Sequence, residues 1–177
     1  IFNDIVSGFV LLIERNIKVD DIVEVEGIIG KVEDIGFRST RVLTLNNIEI
    51  LLPNSKFVNE NVINWSHSEK ETRFFVEVGV AYGSDVRLVE ESLFKTAVNH
   101  PKILNHPKPF VIFKNYGDSS LDFELYFYTN ESYSFLQIKS DLRFAIYDIF
   151  KHNKIKIPFP QRDVYIKENI QPYTKQD

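Results

Sequence analysis

Gly30-Lys31-Val32-Glu33-Asp34-Ile35-Gly36-Phe37-Arg38-Ser39-Thr40-Arg41, then Asn46-Asn47, then Ile48-Glu49-Ile50-Leu51-Leu52-Pro53-Asn54-Ser55-Lys56-Phe57 and Asn61-Val62-Ile63-Asn64-Trp65-Ser66, is the stretch that decides the fold. Its apolar runs are short and rich in β-branched residues, which reads as strands rather than helix. Strands are predicted at about 28–37, 39–45 and 47–52, with a closing strand near 61–65 and an earlier one over Ile22 to Val25, where Glu24 and Glu26 mark a wet face. Asn46-Asn47 suits a tight hairpin whose central residues take positive φ. Gly27, Gly30 and Gly36 suggest bends or bulges, which a small curved sheet needs. Pro53 stops the last run, and a short turn is expected around Ser55 to Phe57.

Outward from this core, residues 1–14 place Ile1, Phe2, Ile5, Val6, Phe9, Leu12 and Ile13 mostly three and four apart, giving a helix with an apolar face that seeks a partner. Ser7-Gly8 lets another backbone come close on the way. His67 to Glu71 is a polar run without periodicity and marks a boundary. Beyond it strands alternate with helices. Phe74 to Val80 reads as a strand; Ser84 or Asp85 caps a helix carrying Val86, Val89, Leu93 and Ala97 and ending before Pro101. Phe110 to Phe113 and Leu121 to Tyr128 are strands joined by a Gly117-Asp118 turn. In the second, Leu121, Phe123, Leu125 and Phe127 alternate with Asp122, Glu124, Tyr126 and Tyr128. Ser134-x-x-Gln137 reads as a capping box before a helix with Phe135, Ile138, Leu142, Ala145 and Ile149 on one face. The order β-α-β-β-α predicts a ferredoxin-like α/β sandwich with its helices on one face of the sheet.

The chain has 177 residues, 44% of them hydrophobic, with 15 Phe and 8 Tyr, which is enough for real cores. A net charge of −4 gives no electrostatic case for nucleic acid. Zero cysteines exclude disulfides and thiolate metal sites. Methionine is absent throughout, position 1 included, as expected of a piece of something longer. Ile1 to Ile13 is the only membrane-like stretch, and it falls short of the roughly 20 apolar residues of a spanning helix.

No local pattern marks an enzyme. Gly79-x-x-x-Gly83-Ser84 runs from strand to helix but lacks the Gly-Lys-Ser/Thr ending of a phosphate loop, and Asp85 puts a carboxylate where the anion would sit. His100 and His106 precede prolines in one loop without a further ligand, so they are expected to be surface histidines and no metal or cofactor is expected. The serines fall at caps and turns, so nothing assembles a nucleophilic triad. Glu24, Glu26, Glu33 and Asp34 form either an acidic rim or the ordinary solvated face of a sheet.

The Gly30-x-Val32-x-x-Ile35 core, the Arg38-Ser39-Thr40 strand, the Leu52-Pro53-Asn54-Ser55 segment and the later Gly79-Val80-Ala81-Tyr82-Gly83-Ser84-Asp85 resemble the small-conductance mechanosensitive channel family, and Asn64-Trp65-Ser66 leans toward its larger, multi-helix members. Arg15-Asn16-Ile17 and Val19-Asp20-Asp21 depart from the family's pattern after the pore helix. The resemblance covers nearly the whole chain. It implies the end of a pore-lining helix at 1–16, an Sm-like β domain at 17–66, a linker at 67–72, a ferredoxin-like domain at 73–158, a strand at 159–168 for a parallel oligomeric barrel, and a flexible tail at 169–177.

By the same resemblance the protein is a bacterial inner-membrane channel, not an enzyme, that releases ions and small osmolytes under tension. This piece would form the cytoplasmic vestibule of a homoheptamer with lateral openings. Its membrane attachment would come from upstream helices, and no nucleic acid is involved. Asp4 and Ser55 fall where the pore helix meets the β domain, a contact linked in the family to closed and inactivated states. Asn54 falls near a lateral opening, and substitution there or at Ser55 is expected to change current while sparing folding. Val164, Tyr165 and Ile166 fall in the barrel strand; the alternative for Asp163 to Lys167 is one more strand of the α/β sheet. The other functional class is an Sm-like RNA-binding ring, disfavoured by the acidic balance and the missing basic, aromatic strip.

Overall fold

The structure, a computed structural model, describes residues 2–66 and 71–165. Its first element is helix α1 (Phe2–Glu14), followed by strands β1 (Ile22–Val25), β2 (Ile28–Ile35), β3 (Ser39–Thr44) and β4 (Glu49–Pro53), helix α2 (Asn54–Asn59) and strand β5 (Val62–Asn64). The five strands form one antiparallel sheet in the order β4-β3-β2-β1-β5. A small, bent five-stranded sheet is what the alternating apolar pattern predicts. Val23, Val25, Val32 and Val42 are fully buried and pack with Leu52, Phe57 and Leu11 of α1.

The turns differ from expectation in instructive ways. The two-residue hairpin lies at Glu26-Gly27, where φ is +51° and +79° and Val25 pairs with Ile28. That is the primed geometry whose twist matches the flanking strands, and glycine at its second position carries the positive φ without strain. Between β3 and β4 the loop is longer: Thr44 N–H donates to Ile48 O, and only Asn47 takes a positive φ, +61°. The strand therefore begins at Glu49 rather than 47. The sheet's register shift falls between Val32 and Asp34, not at a glycine. The turn expected at Ser55 to Phe57 is the short helix α2, which buries Asn54 and Phe57.

The second half comprises β6 (Thr72–Val80), α3 (Val86–Val98), β7 (Phe110–Tyr116), β8 (Leu121–Thr129), a 3-10 turn (Ser132–Ser134) and α4 (Phe135–His152). The sheet order is β6-β8-β7 with both pairings antiparallel, the ferredoxin-like arrangement without its fourth strand. Leu121, Phe123, Leu125 and Phe127 point into the core with Val89 and Leu93 of α3 and Ile138, Leu142, Ile146 and Phe150 of α4. Ala145 is exposed; the helical period carries the core stripe through Ile146 and Phe150 instead. Ser134 caps no backbone N–H: the 3-10 turn precedes the helix, the Ser134 hydroxyl donates to Glu131 at 3.3 Å, and Gln137 reaches forward to Asp141.

Trp65, the only tryptophan, joins the two halves. It stacks on Phe74 at 5.6 Å between ring centres, and Phe74 stacks on Phe135 at 5.1 Å. Lys139 lies 5.4–5.7 Å from the Phe74, Phe75 and Phe135 rings, where partial burial lowers its pKa, with Arg143 adding to the effect. Tyr133 donates to the Thr44 carbonyl at 3.1 Å, and Thr72 donates to the Trp65 carbonyl at 3.0 Å. Among the described residues no helix is long and apolar enough to cross a membrane.

Candidate functional site

The site is the seat of α1 on the β sheet. Ser7, Gly8 and Leu11 are buried against it, while Phe2, Ile5, Val6, Phe9, Leu12 and Ile13 remain exposed. Gly8 permits the close approach. A Cβ there would fall inside contact distance of the Phe37 carbonyl oxygen and 2.6 Å from Asn54 Nδ2. Phe9 completes the seat edge-on against Phe37, ring centres 6.3 Å apart.

Asn54 stands at the centre of this contact and is 0% exposed. Its Nδ2 donates to Gly36 O at 2.9 Å, its Oδ1 accepts from the Thr40 hydroxyl at 2.8 Å, and its backbone N–H donates to Arg38 O at 2.9 Å. The side chain thus clamps the β2–β3 turn on which α1 rests. Solvent does not reach it in this chain, so it does not present itself to an opening, which corrects the expectation for this residue. Pro53 explains the placement: it ends β4 in an extended conformation and turns the next residue inward as α2 begins.

Ser55, one residue on, lies at the edge of the same contact. Its hydroxyl donates to Asp4 Oδ1 at 2.5 Å, tying the first turn of α1 to the first turn of α2 across 51 residues of sequence. The structure therefore brings Asp4, Gly8, Asn54 and Ser55 together. Sequence reasoning named these positions but not Gly36, Phe37 and Thr40, whose part depends on the β2–β3 turn folding over. Val164 and Tyr165 lie far from this seat, 79% and 85% exposed and in no strand; Ile166 lies outside the described residues. Through Tyr165 the chain adds no strand to the free edge of β6.

The remaining candidates are occupied by local structure. Asp85 caps α3, accepting from Arg87 N–H at 2.9 Å and Leu88 N–H at 3.2 Å. His100 is largely buried rather than on the surface: Nδ1 accepts from Lys102 N–H at 3.2 Å and Nε2 lies 3.4 Å from Asp141. Of the supposed acidic rim, Glu26 pairs with Lys56 at 2.5 Å, Glu33 with Lys31 at 3.1 Å and Asp34 with Arg41 at 3.5 Å, which dissolves it into separate ion pairs.

A charged group that periodicity alone does not mark sits on the outer face of the second sheet. Glu124, placed by alternation on the wet side of β8, is only 7% exposed because Lys114 Nζ lies 2.6 Å from it and the Tyr126 hydroxyl donates to it at 2.9 Å. Lys114 also reaches Glu77 at 2.6 Å. The lysine holds the Glu124 carboxyl below its ordinary value, and the two carboxylates raise the lysine. A depressed folded-state pKa gives stability that is complete above the unfolded value of about 4.5 and is lost as pH falls through the folded value. Lys114→Met is expected to bring Glu124 back toward its ordinary value and flatten the loss of stability below about pH 4.5. Urea midpoints between pH 6 and 3 measure this; equal slopes in parent and variant would refute it.

The comparisons with known proteins bear on the whole arrangement. The family model described as the mechanosensitive ion channel β-domain matches residues 1–67, and that of the mechanosensitive ion channel MscS C-terminal region matches residues 75–157. The chain belongs to the MscS family of mechanosensitive ion channels. Similar chains include an MscS family protein of Haemophilus influenzae, 39% identical over 169 residues, and the mechanosensitive channel MscK of Escherichia coli, 36% identical over 166. These alignments cover 96% and 94% of this chain and 15% of each relative. The crystal structure of Helicobacter pylori MscS in a closed state superposes with a TM-score of 0.84 at 30% identity, over 95% of this chain and 66% of that one. The MscS family is one of channels, not of enzymes, and its vestibule fold is the one found here.

Proposed function

We propose that this chain is the cytosolic vestibule part of a mechanosensitive channel that releases ions and small osmolytes when membrane tension rises. In this reading α1 is the end of the pore-lining helix, the full-length protein lies in the bacterial inner membrane, and this part sits on its cytoplasmic side. Residues 17–66 are the β domain, 73–158 the α/β domain with 67–72 between them, 159–168 a strand of a parallel barrel and 169–177 a tail. Seven copies enclose a chamber whose lateral openings filter solutes.

The observation that carries this is the seating of α1. One stripe of the helix is locked to the β sheet through Gly8 and the Ser55–Asp4 hydrogen bond, while its other apolar side chains stay exposed, as suits a helix with neighbours around a pore. Motion of the helix in a tensed membrane must then either carry the β domain along or break that lock. Asn54 serves here as the clamp beneath the contact. Carboxylates outnumber lysines and arginines in residues 1–66, which leaves the RNA-ring alternative without a basic surface.

Patch recording of the full-length protein under suction tests the reading. Parent channels should open with tension, and Ser55→Ala should change recovery after sustained pressure, since it removes the hydroxyl that holds Asp4. A protein that passes no pressure-activated current refutes the channel reading; parent-like recovery in the variant removes the Asp4–Ser55 contact from the mechanism.

A further inference from the structure

A cavity of about 870 Å³ opens between the C-terminal end of α4, the loop after β6 and the chain at 155–161. Phe150 and Ile155 floor it, and the half-exposed or exposed side chains of Tyr82, Tyr147, Ile157 and Phe159 wall it. Lys151 and Lys156 stand at its rim, and neither has a carboxylate partner among the described residues. The wall is held in place. Ala81 N–H donates to Lys156 O at 2.8 Å, and Gln161 N–H donates to the Ser119 hydroxyl at 3.0 Å. An apolar groove this large with lysines at its edge favours an amphipathic occupant carrying an aromatic group and a carboxylate.

Such a segment leaves the groove's own rim. After Gln161 the chain continues Arg162-Asp163-Val164-Tyr165, with every residue exposed. Tyr165 at 85% exposed and Val164 at 79% are outside their own groove. Pro158 and Pro160 stiffen the exit and remove two backbone donors, which hinders a tight reversal into it. A binding groove beside the root of an outgoing segment makes a head-to-tail contact, the type that closes a ring when repeated by rotation.

We propose that this groove receives the outgoing segment of a neighbouring copy, with Tyr165 as the aromatic anchor and Asp163 against Lys151 and Lys156. The inference rests on the oligomeric reading above and adds to it a surface between adjacent copies, separate from the barrel.

The chain has no cysteine, so introduced ones report cleanly. Tyr147→Cys and Tyr165→Cys chains are co-expressed, the assembly is measured by native mass spectrometry, and a short bis-maleimide is added. Cross-linked peptides are then identified by mass. Because the two cysteines are on different chains, a 147–165 product can form only between copies. It should exceed by at least tenfold the product from Tyr116→Cys, an exposed position on β7 away from the groove, paired with Tyr165→Cys. An intact oligomer giving only 165–165 links would leave the barrel standing and overturn the groove contact. A 147–165 link formed within one chain carrying both substitutions, with none between co-expressed single variants, would assign the groove to its own segment and overturn the proposal. A monomer would refute the oligomeric reading and the groove contact with it. Tyr82→Cys on the opposite wall replaces Tyr147→Cys if that variant fails to fold.

Discussion

Asn54→Leu is expected to destabilise the β half of this chain severely, although leucine matches asparagine closely in size. The substitution leaves the Gly36 carbonyl without its donor and the Thr40 hydroxyl without its acceptor, both in a site closed to water. Each buried polar group left unpaired costs about 1–3 kcal/mol, and the apolar gain of a leucine offsets little of that when α1 is crowded against the same spot. Asn54→Asp should fare no better: it keeps the acceptor for Thr40, aims a second oxygen at the Gly36 carbonyl and buries a charge. Urea unfolding with α1 proteolysis as a second readout distinguishes the outcomes. A variant as stable as the parent would show that the clamp is dispensable and return Asn54 to the list of residues free to serve an opening.

Gly8→Ala should displace α1 from its seat. In most helices this exchange stabilises by up to about 1 kcal/mol, because alanine restricts the unfolded chain. Here the added methyl meets the Phe37 carbonyl and the Asn54 amide, both fixed by the hydrogen bonds of the β2–β3 turn. Overpacking against such immobile groups costs about 1–3 kcal/mol, so the sign reverses. The helix can relieve the clash by lifting away, and Leu11 and Ser7 then lose their cover. Faster proteolysis within residues 2–14, with the second half of the chain melting as before, is the expected result. A variant that gains stability and keeps α1 protected would mean the seat can yield by a few tenths of an ångström.

Both expectations turn on one contact, and they separate two roles that adjacent residues play. Asn54 holds the platform and Ser55 holds the helix to it, so damage at the first should appear as unfolding and damage at the second as altered coupling. That division replaces the sequence-based expectation that both positions would spare the fold.

The sequence by itself determined the strands, the long helices and their order, because each has a period that burial imposes: two for Val23, Val25 and the Leu121 to Phe127 series, near 3.6 for Val89, Leu93 and Ala97. It also determined the family, since Gly30 to Ile35 and Pro53-Asn54-Ser55 are local patterns. The tertiary structure alone decided where the hairpin twist falls, that Ile146 and not Ala145 enters the core, and that Ser134 caps nothing. These depend on which neighbour competes for the same backbone group. Asn54 shows why most plainly. An asparagine after proline reads as a turn from sequence, and whether its amide meets water or the Gly36 carbonyl is settled by a strand pair 14 to 18 residues away folding over it. Such long-range closure leaves no periodic trace in the chain, so it becomes visible only once the sheet is formed.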